Sequence, residues 1–268
     1  MIFLAFAASL IPALAVYLIF RKRQPEKEGY TADIKTSFIN GIKSTLLLLP
    51  FALVFQIIGA LIKINDANIW IRQLYKDVLI AAFLEEAVKM VMFRKVLKKS
   101  SCEYSWLDVT AYAVLVGLGF ETLEAIVYAF MTNPAQVIVR GVTMMHGMFQ
   151  FIMGYFYGKG LYTKKKTYFV LSFLLPFLYH GTYDYMLSDE FSGYGDIFAF
   201  VPVTLALLSL ILVFVMIRFF RKNRDVEKFN VSLRPAIQAA GDESAAEIPP
   251  RQIEDITDNP YTEQNEVQ

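Results

Sequence analysis

The sequence predicts an all-α integral membrane protein of about seven transmembrane helices with its N-terminus outside. Three observations predict it. The 268 residues are 56% hydrophobic and 15% aromatic, with a mean hydropathy of +0.42, more apolar than a soluble domain of this length requires. Charged residues sit in short runs between long apolar stretches. Those runs also divide unevenly once the chain is threaded through a bilayer.

A helix needs roughly 20 apolar residues to cross the hydrocarbon core. Spans are read near 2–20, 44–62, 78–97, 109–130, 136–157, 168–187 and 197–217. The first resembles a secretory leader through Ala13-Leu14-Ala15, but its basic cluster, Arg21-Lys22-Arg23, follows the apolar run instead of preceding it. It is read as a retained helix. With residue 1 outside, the inner loops and the start of the tail hold 19 Lys and Arg residues. The outer loops hold only Lys63, Arg72, Lys76 and Arg140. That asymmetry sets the orientation. Residues 1–224 are read as one membrane domain, with its functional core at about 78–187. From 225 onward the chain is polar and Pro-, Gln- and Asn-containing, and is expected to be a disordered cytoplasmic tail. Net charge is +1, which gives no reason to expect a nucleic-acid partner. One cysteine, Cys102, excludes an internal disulfide.

The first, second and seventh spans carry no charge; the other four carry ionisable groups. Each such group costs about 2.5–3.5 kcal/mol in mid-membrane and therefore has a partner or a task. The third span has Glu85, Glu86 and Lys89, and the fourth Glu121 and Glu124. The fifth has His146, and the sixth His180 and Asp184. Residues four apart share a helix face, which pairs Glu85 with Lys89 and His180 with Asp184. Glu85 and Glu86 point about 100° apart, so one can work on a substrate while the other pairs with a neighbour. At 1.5 Å per residue, Glu85 lies roughly 10 Å and Glu124 roughly 9 Å below the outer surface, with His146, His180 and Asp184 also in the outer half. Four helices thus deliver polar groups to one layer, which favours a functional site over helix-to-helix pairing. Gly154 and Gly158 form a small-xxx-small pattern that is read as close helix packing.

Neither HExxH nor GxSxG is present. Several carboxylates sharing a low-dielectric site produce a proton acceptor, and a histidine can share that duty or stabilise an oxyanion. The residues alone leave a hydrolase and a proton relay equally open. A proton-coupled transporter and a non-catalytic scaffold are the alternatives, and no inverted repeat or paired broken helices support a transporter.

Three motifs add a resemblance. EExxK is Glu85-Glu86-Ala87-Val88-Lys89, FxxxE is Phe120-Glu121-Thr122-Leu123-Glu124, and HxxxD is His180-Gly181-Thr182-Tyr183-Asp184. Arg140, His146, Gly154-Tyr155 and Gly158 fall between the last two. In this order, over about 80–187, the chain resembles the PrsW family of intramembrane proteases. The related CAAX-type prenyl endopeptidases carry EExxxR and FxxxH; here Met90 and Glu124 stand at the distinguishing positions. The resemblance implies a bacterial cytoplasmic-membrane endopeptidase. Its substrate would be a membrane-embedded or membrane-adjacent protein, such as a single-span anti-sigma factor, cut near the extracytoplasmic face. It implies Glu85 as general base, Glu124 helping to hold the water, and His180 with Asp184 stabilising the oxyanion. Glu86 and Lys89 would orient and neutralise, with Phe120, His146 and Arg140 in support. A glutamate-based mechanism needing no cofactor is the favoured expectation. Zinc is compatible, with His146, His180, Glu85 and Glu124 as candidate ligands.

Overall fold

A bilayer offers no water to satisfy backbone groups, so apolar runs of this length close their hydrogen bonds within helices. The structure, a computed structural model, describes residues 2–100, 104–131, 138, 141–191, 193–222 and 230–231. Among these, α1 is Ile2–Arg21 and α2 is Tyr30–Leu61. A continuous helical run, α3, joins Ile69–Gln73, a π-helical stretch Leu74–Phe83, and Leu84–Lys99. There follow α4 at Trp106–Met131, α5 at Met145–Thr163, α6 at Lys166–Leu187 and α7 at Ile197–Lys222. Among the described residues the fold is all-α apart from a two-residue antiparallel pairing, Tyr104–Ser105 (β1) on Asn230–Val231 (β2).

Each helix follows an apolar run, but the boundaries move where polar residues find partners. α2 starts fourteen residues before the second run because its first turns bury Asp33, Ser37 and Asn40 against neighbours. Ser37 Oγ donates to the Asp33 carbonyl and Asn40 Nδ2 to the Met92 carbonyl. α3 starts at Ile69, inside the segment read as an outer loop, because the Asn68 side chain accepts from the Ile71 N–H at 3.0 Å and caps it. α5 starts later than the fifth run: Met144, with φ +47°, takes a left-handed turn immediately before it. Only Lys164 and Lys165 separate α5 from α6, Lys164 with φ +55° closing the turn. The expected tail lies outside the described residues except for Asn230–Val231, which, against the expectation for that stretch, form a strand.

Three helices, Tyr30–Leu61, Trp106–Tyr128 and Ile197–Lys222, are long and apolar enough to cross a membrane on length and composition alone. They occupy different places. α2 and α7 present Leu49, Leu53, Ile57, Phe200, Leu207 and Phe214 outward, whereas the run from Leu107 to Phe120 in α4 is buried. α4 is therefore the central helix, packed against α1, α2, α3 and α5. Its fixing at the Trp106 end is ionic: buried Asp108 receives Lys27 Nζ at 2.9 Å, Gln24 Nε2 at 2.8 Å and Arg23 Nη2 at 3.2 Å. On the opposite side of the central helix Gly154 lies against Thr110 and Ala113, where a Cβ would sit 2.7 Å from the Ala113 methyl. Gly158 lies against the Trp106 ring. Close packing is what this pair of glycines provides.

Candidate active site

The residues that would be costly singly in a membrane are brought together. From α3, Lys89 Nζ donates to Glu86 Oε1 at 2.9 Å and to Glu85 Oε2 at 3.2 Å, the lysine lying one turn after the two acids. The same ammonium lies 2.9 Å from His146 Nδ1 on α5 and 4.0 Å from the centre of the Phe120 ring on α4. An ammonium has donors only, so His146 Nδ1 accepts from it. The ring then donates from Nε2 to Glu124 Oε2, at 2.6 Å. From α6, His180 Nδ1 lies 3.1 Å from Glu86 Oε1, and Nε2 lies 3.0 Å from Asp184 Oδ2 and 3.9 Å from Glu85 Oε2. The two histidine rings lie edge to face at 5.1 Å.

Local sequence explains how four helices approach so closely. A Cβ on Gly117 would lie 2.3 Å from the His146 carbonyl oxygen, so α4 carries glycine where the first turn of α5 crosses it. This contact seats His146 two helical turns from Glu124. Gly181, next to His180, packs on Val78 and Ala82 of the π-helical stretch. π-helical turns are rare and concentrate at functional sites; this one ends just before Leu84-Glu85.

The adjacent glutamates differ in environment. Glu86 is fully buried, with Oε1 taking Lys89 and His180 and Oε2 taking Gln150 Nε2 at 2.6 Å. Its accepting capacity is largely committed. Glu85 retains 8% exposure and, among the described residues, has one contact within hydrogen-bond distance, to Lys89. The 3.9 Å to His180 Nε2 is too long for a direct hydrogen bond; an oxygen placed between them would reach both.

Of the residues singled out in the sequence, Glu85, Glu86, Lys89, Phe120, Glu124, His146, His180 and Asp184 meet here. Arg140 lies outside the described residues. Glu121 is buried on α4. Two participants escaped sequence reasoning. Gln150 is four residues after His146, on the same face of α5, and a lone amide in an apolar helix was the available signal. Phe149 stacks on His180 with ring centres at 4.8 Å, and nothing distinguishes it from the other aromatic residues in the sequence.

A metal is testable on the donor set. One carboxylate oxygen of Glu85 and one nitrogen each of His146 and His180 lie within 4.8 Å of one another. Two imidazoles and a carboxylate form a known catalytic zinc set. The cluster also holds four carboxylates, Glu85, Glu86, Glu124 and Asp184, against one ammonium, a balance that a divalent cation would offset. Glu124 is not in the triad, because its carboxylate is on the far side of the His146 ring. Tetrahedral ligand atoms at about 2.1 Å from zinc sit roughly 3.4 Å apart, so the donor set fits once the side chains close and Lys89 Nζ leaves the His146 Nδ1 lone pair.

A buried acid–histidine centre of this kind suits a hydrolase or a proton relay, and comparison with known proteins separates the two. The family described as PrsW family intramembrane metalloprotease matches residues 36–217. Protease PrsW of Geobacillus kaustophilus is 30% identical over 194 residues, covering 70% of this chain and 82% of its own. Protease PrsW of Oceanobacillus iheyensis is 31% identical over 212 residues, 76% and 92% respectively. Protease PrsW of Bacillus subtilis is 25% identical over 191 residues, 69% and 84%. No solved structure matches the chain. The chain belongs to the PrsW family of intramembrane proteases. It is a bacterial multi-pass membrane protein whose family acts on peptide bonds in a lipid environment.

Proposed function

We propose that the chain is an endopeptidase that cuts single-span or membrane-adjacent proteins of the anti-sigma-factor type near the extracytoplasmic face, with Glu85 as general base. The difference between the two glutamates supports this reading: Glu86 is held by three partners, and Glu85 keeps an open acceptor facing His180. Glu85 takes a proton from water, and the water oxygen adds to the scissile carbonyl carbon. His180, held through Nδ1 by Glu86 and with Nε2 beside Asp184 but making no hydrogen bond among the described residues, donates from Nε2 to the resulting oxyanion. The proton held by Glu85 then passes to the departing amine as the C–N bond breaks. Lys89 neutralises the acid pair, and Glu124 orients His146 from the far side of its ring. Co-expression with a panel of single-span membrane proteins should yield clipped products of one or more; a panel that stays intact would sink the assignment.

A second reading has its own observation, the Glu85–His146–His180 donor set. Those three residues would hold a zinc ion, which when bound activates water and polarises a carbonyl. In the same assay a membrane-permeant chelator is expected to leave a glutamate-based enzyme unaffected. Loss of cleavage that added zinc restores would establish the metal reading.

Orientation belongs to the same proposal. The membrane domain is placed at 1–224 with the N-terminus outside, and the tail from 225 with the lysine-rich 158–167 turn inside. Reporter fusions at Lys164 should report the cytoplasm. An external Lys164 would reverse the map and move the cut to the other face.

A further inference from the structure

α1 and α7 meet at Phe20 and Phe220. The two rings pack at 4.7 Å and line a cavity of about 800 Å³ between the helices. Its walls are apolar, with Ala15 and Ile19 from α1 and Val213 and Ile217 from α7. Two guanidinium groups line it as well, Arg23 and Arg221, each just past the apolar part of its helix. Arg23 lies over the Phe220 ring at 5.4 Å, with a side chain only 17% exposed. Its Nη2 faces Asp108 at 3.2 Å, while its Nη1 is buried with no hydrogen-bond partner among the described residues. Asp108 is meanwhile shared with Lys27 and Gln24, so one acid serves two cations there. A buried guanidinium donor without an acceptor is a costly arrangement that an anion would relieve.

We infer that this groove is a binding site for an anionic phospholipid, with the headgroup phosphate between Arg23 and Arg221 and an acyl chain along Ile19, Ala15 and Val213. Charge complementarity selects this occupant. The walls ask for hydrocarbon, the rim asks for a phosphate, and a phospholipid joins the two at the membrane boundary. Basic pockets between transmembrane helices bind anionic headgroups by this logic. The site is distinct from the acid–histidine centre and does not depend on its chemistry.

The full chain, purified in mild detergent, is titrated with phosphatidylglycerol and separately with phosphatidylcholine, and bound lipid is counted by native mass spectrometry. Phosphatidylglycerol should bind the tighter. At about a fivefold effect per arginine near the headgroup, Arg221→Gln should weaken it roughly fivefold and the Arg23→Gln, Arg221→Gln pair about 25-fold. Phosphatidylcholine binding should fall less, because its choline already offsets the phosphate charge. Because Arg23 also holds Asp108, Arg221→Gln and the groove-filling Ala15→Phe carry the test if the double variant fails to accumulate; Ala15→Phe should lower binding of both lipids. Equal affinity for the two lipids, an unchanged Arg221→Gln protein, or a co-purifying polypeptide that neither lipid displaces would each overturn the inference.

Discussion

Glu85→Gln should lower cleavage of a co-expressed substrate by about 10²- to 10⁴-fold, the usual contribution of a positioned general base, while the protein still accumulates in the membrane. Glutamine keeps the size of the side chain and one oxygen to accept from Lys89, so the packing around Glu85 survives. What it loses is the capacity to take a proton from water. Glu85 makes few contacts, so its replacement disturbs little else, and a fall in activity would report chemistry. Glu86→Gln makes the contrasting control. It disturbs a carboxylate that joins α3, α5 and α6, and its effect should include reduced accumulation. A Glu85→Gln protein that cuts at the wild-type rate would remove the general-base role.

Lys89→Met should be the most destabilising single change in the site. Lys89 is fully buried and, among the described residues, is the one ammonium beside four carboxylates. Methionine matches its length but leaves Glu85 and Glu86 without their counter-charge, and breaking a buried pair from one side costs about 3–5 kcal/mol. The protein should accumulate poorly and unfold at lower temperature in detergent. Adding Glu86→Gln to Lys89→Met should recover part of the loss, because it removes one of the stranded charges. If the single variant is as stable as the wild type, Lys89 does not balance the acid pair.

Much of the site was readable because polar residues in a membrane helix are conspicuous. Helix periodicity paired Glu85 with Lys89 and His180 with Asp184, and both pairs occur at 3.2 and 3.0 Å. A depth count along separate helices placed the acids and histidines in one layer, where they now meet within hydrogen-bonding range. Other features depend on information that a single helix does not carry. Which glutamate of the adjacent pair is saturated depends on Gln150, 64 residues away. Glu124, expected to help hold the water, also takes a hydrogen bond from the His146 ring, a partner on another helix that the FxxxE spacing does not reveal. The early start of α2 was hidden because Asp33 and Asn40 look like loop residues until their partners, Ser100 and Met92, are known. The π-helical form of Leu74–Phe83 has no composition of its own, since hydrogen-bond register is not written in hydropathy.

The two-lysine turn between α5 and α6 has a consequence for where a substrate must be opened. His146 precedes Lys164 by 18 residues and His180 follows Lys165 by 15, so the two histidines stand roughly 27 Å and 22 Å along their helices from the same turn. The hydrocarbon core is about 30 Å thick. In the proposed orientation the hairpin would work as a measuring rod, with lysines holding its base at one boundary and imidazoles near the other. A substrate helix inserted alongside would not have to unwind at its middle, where exposing backbone to lipid is most costly. Only the turns closest to the far boundary would need to fray, and those are the turns that water already reaches.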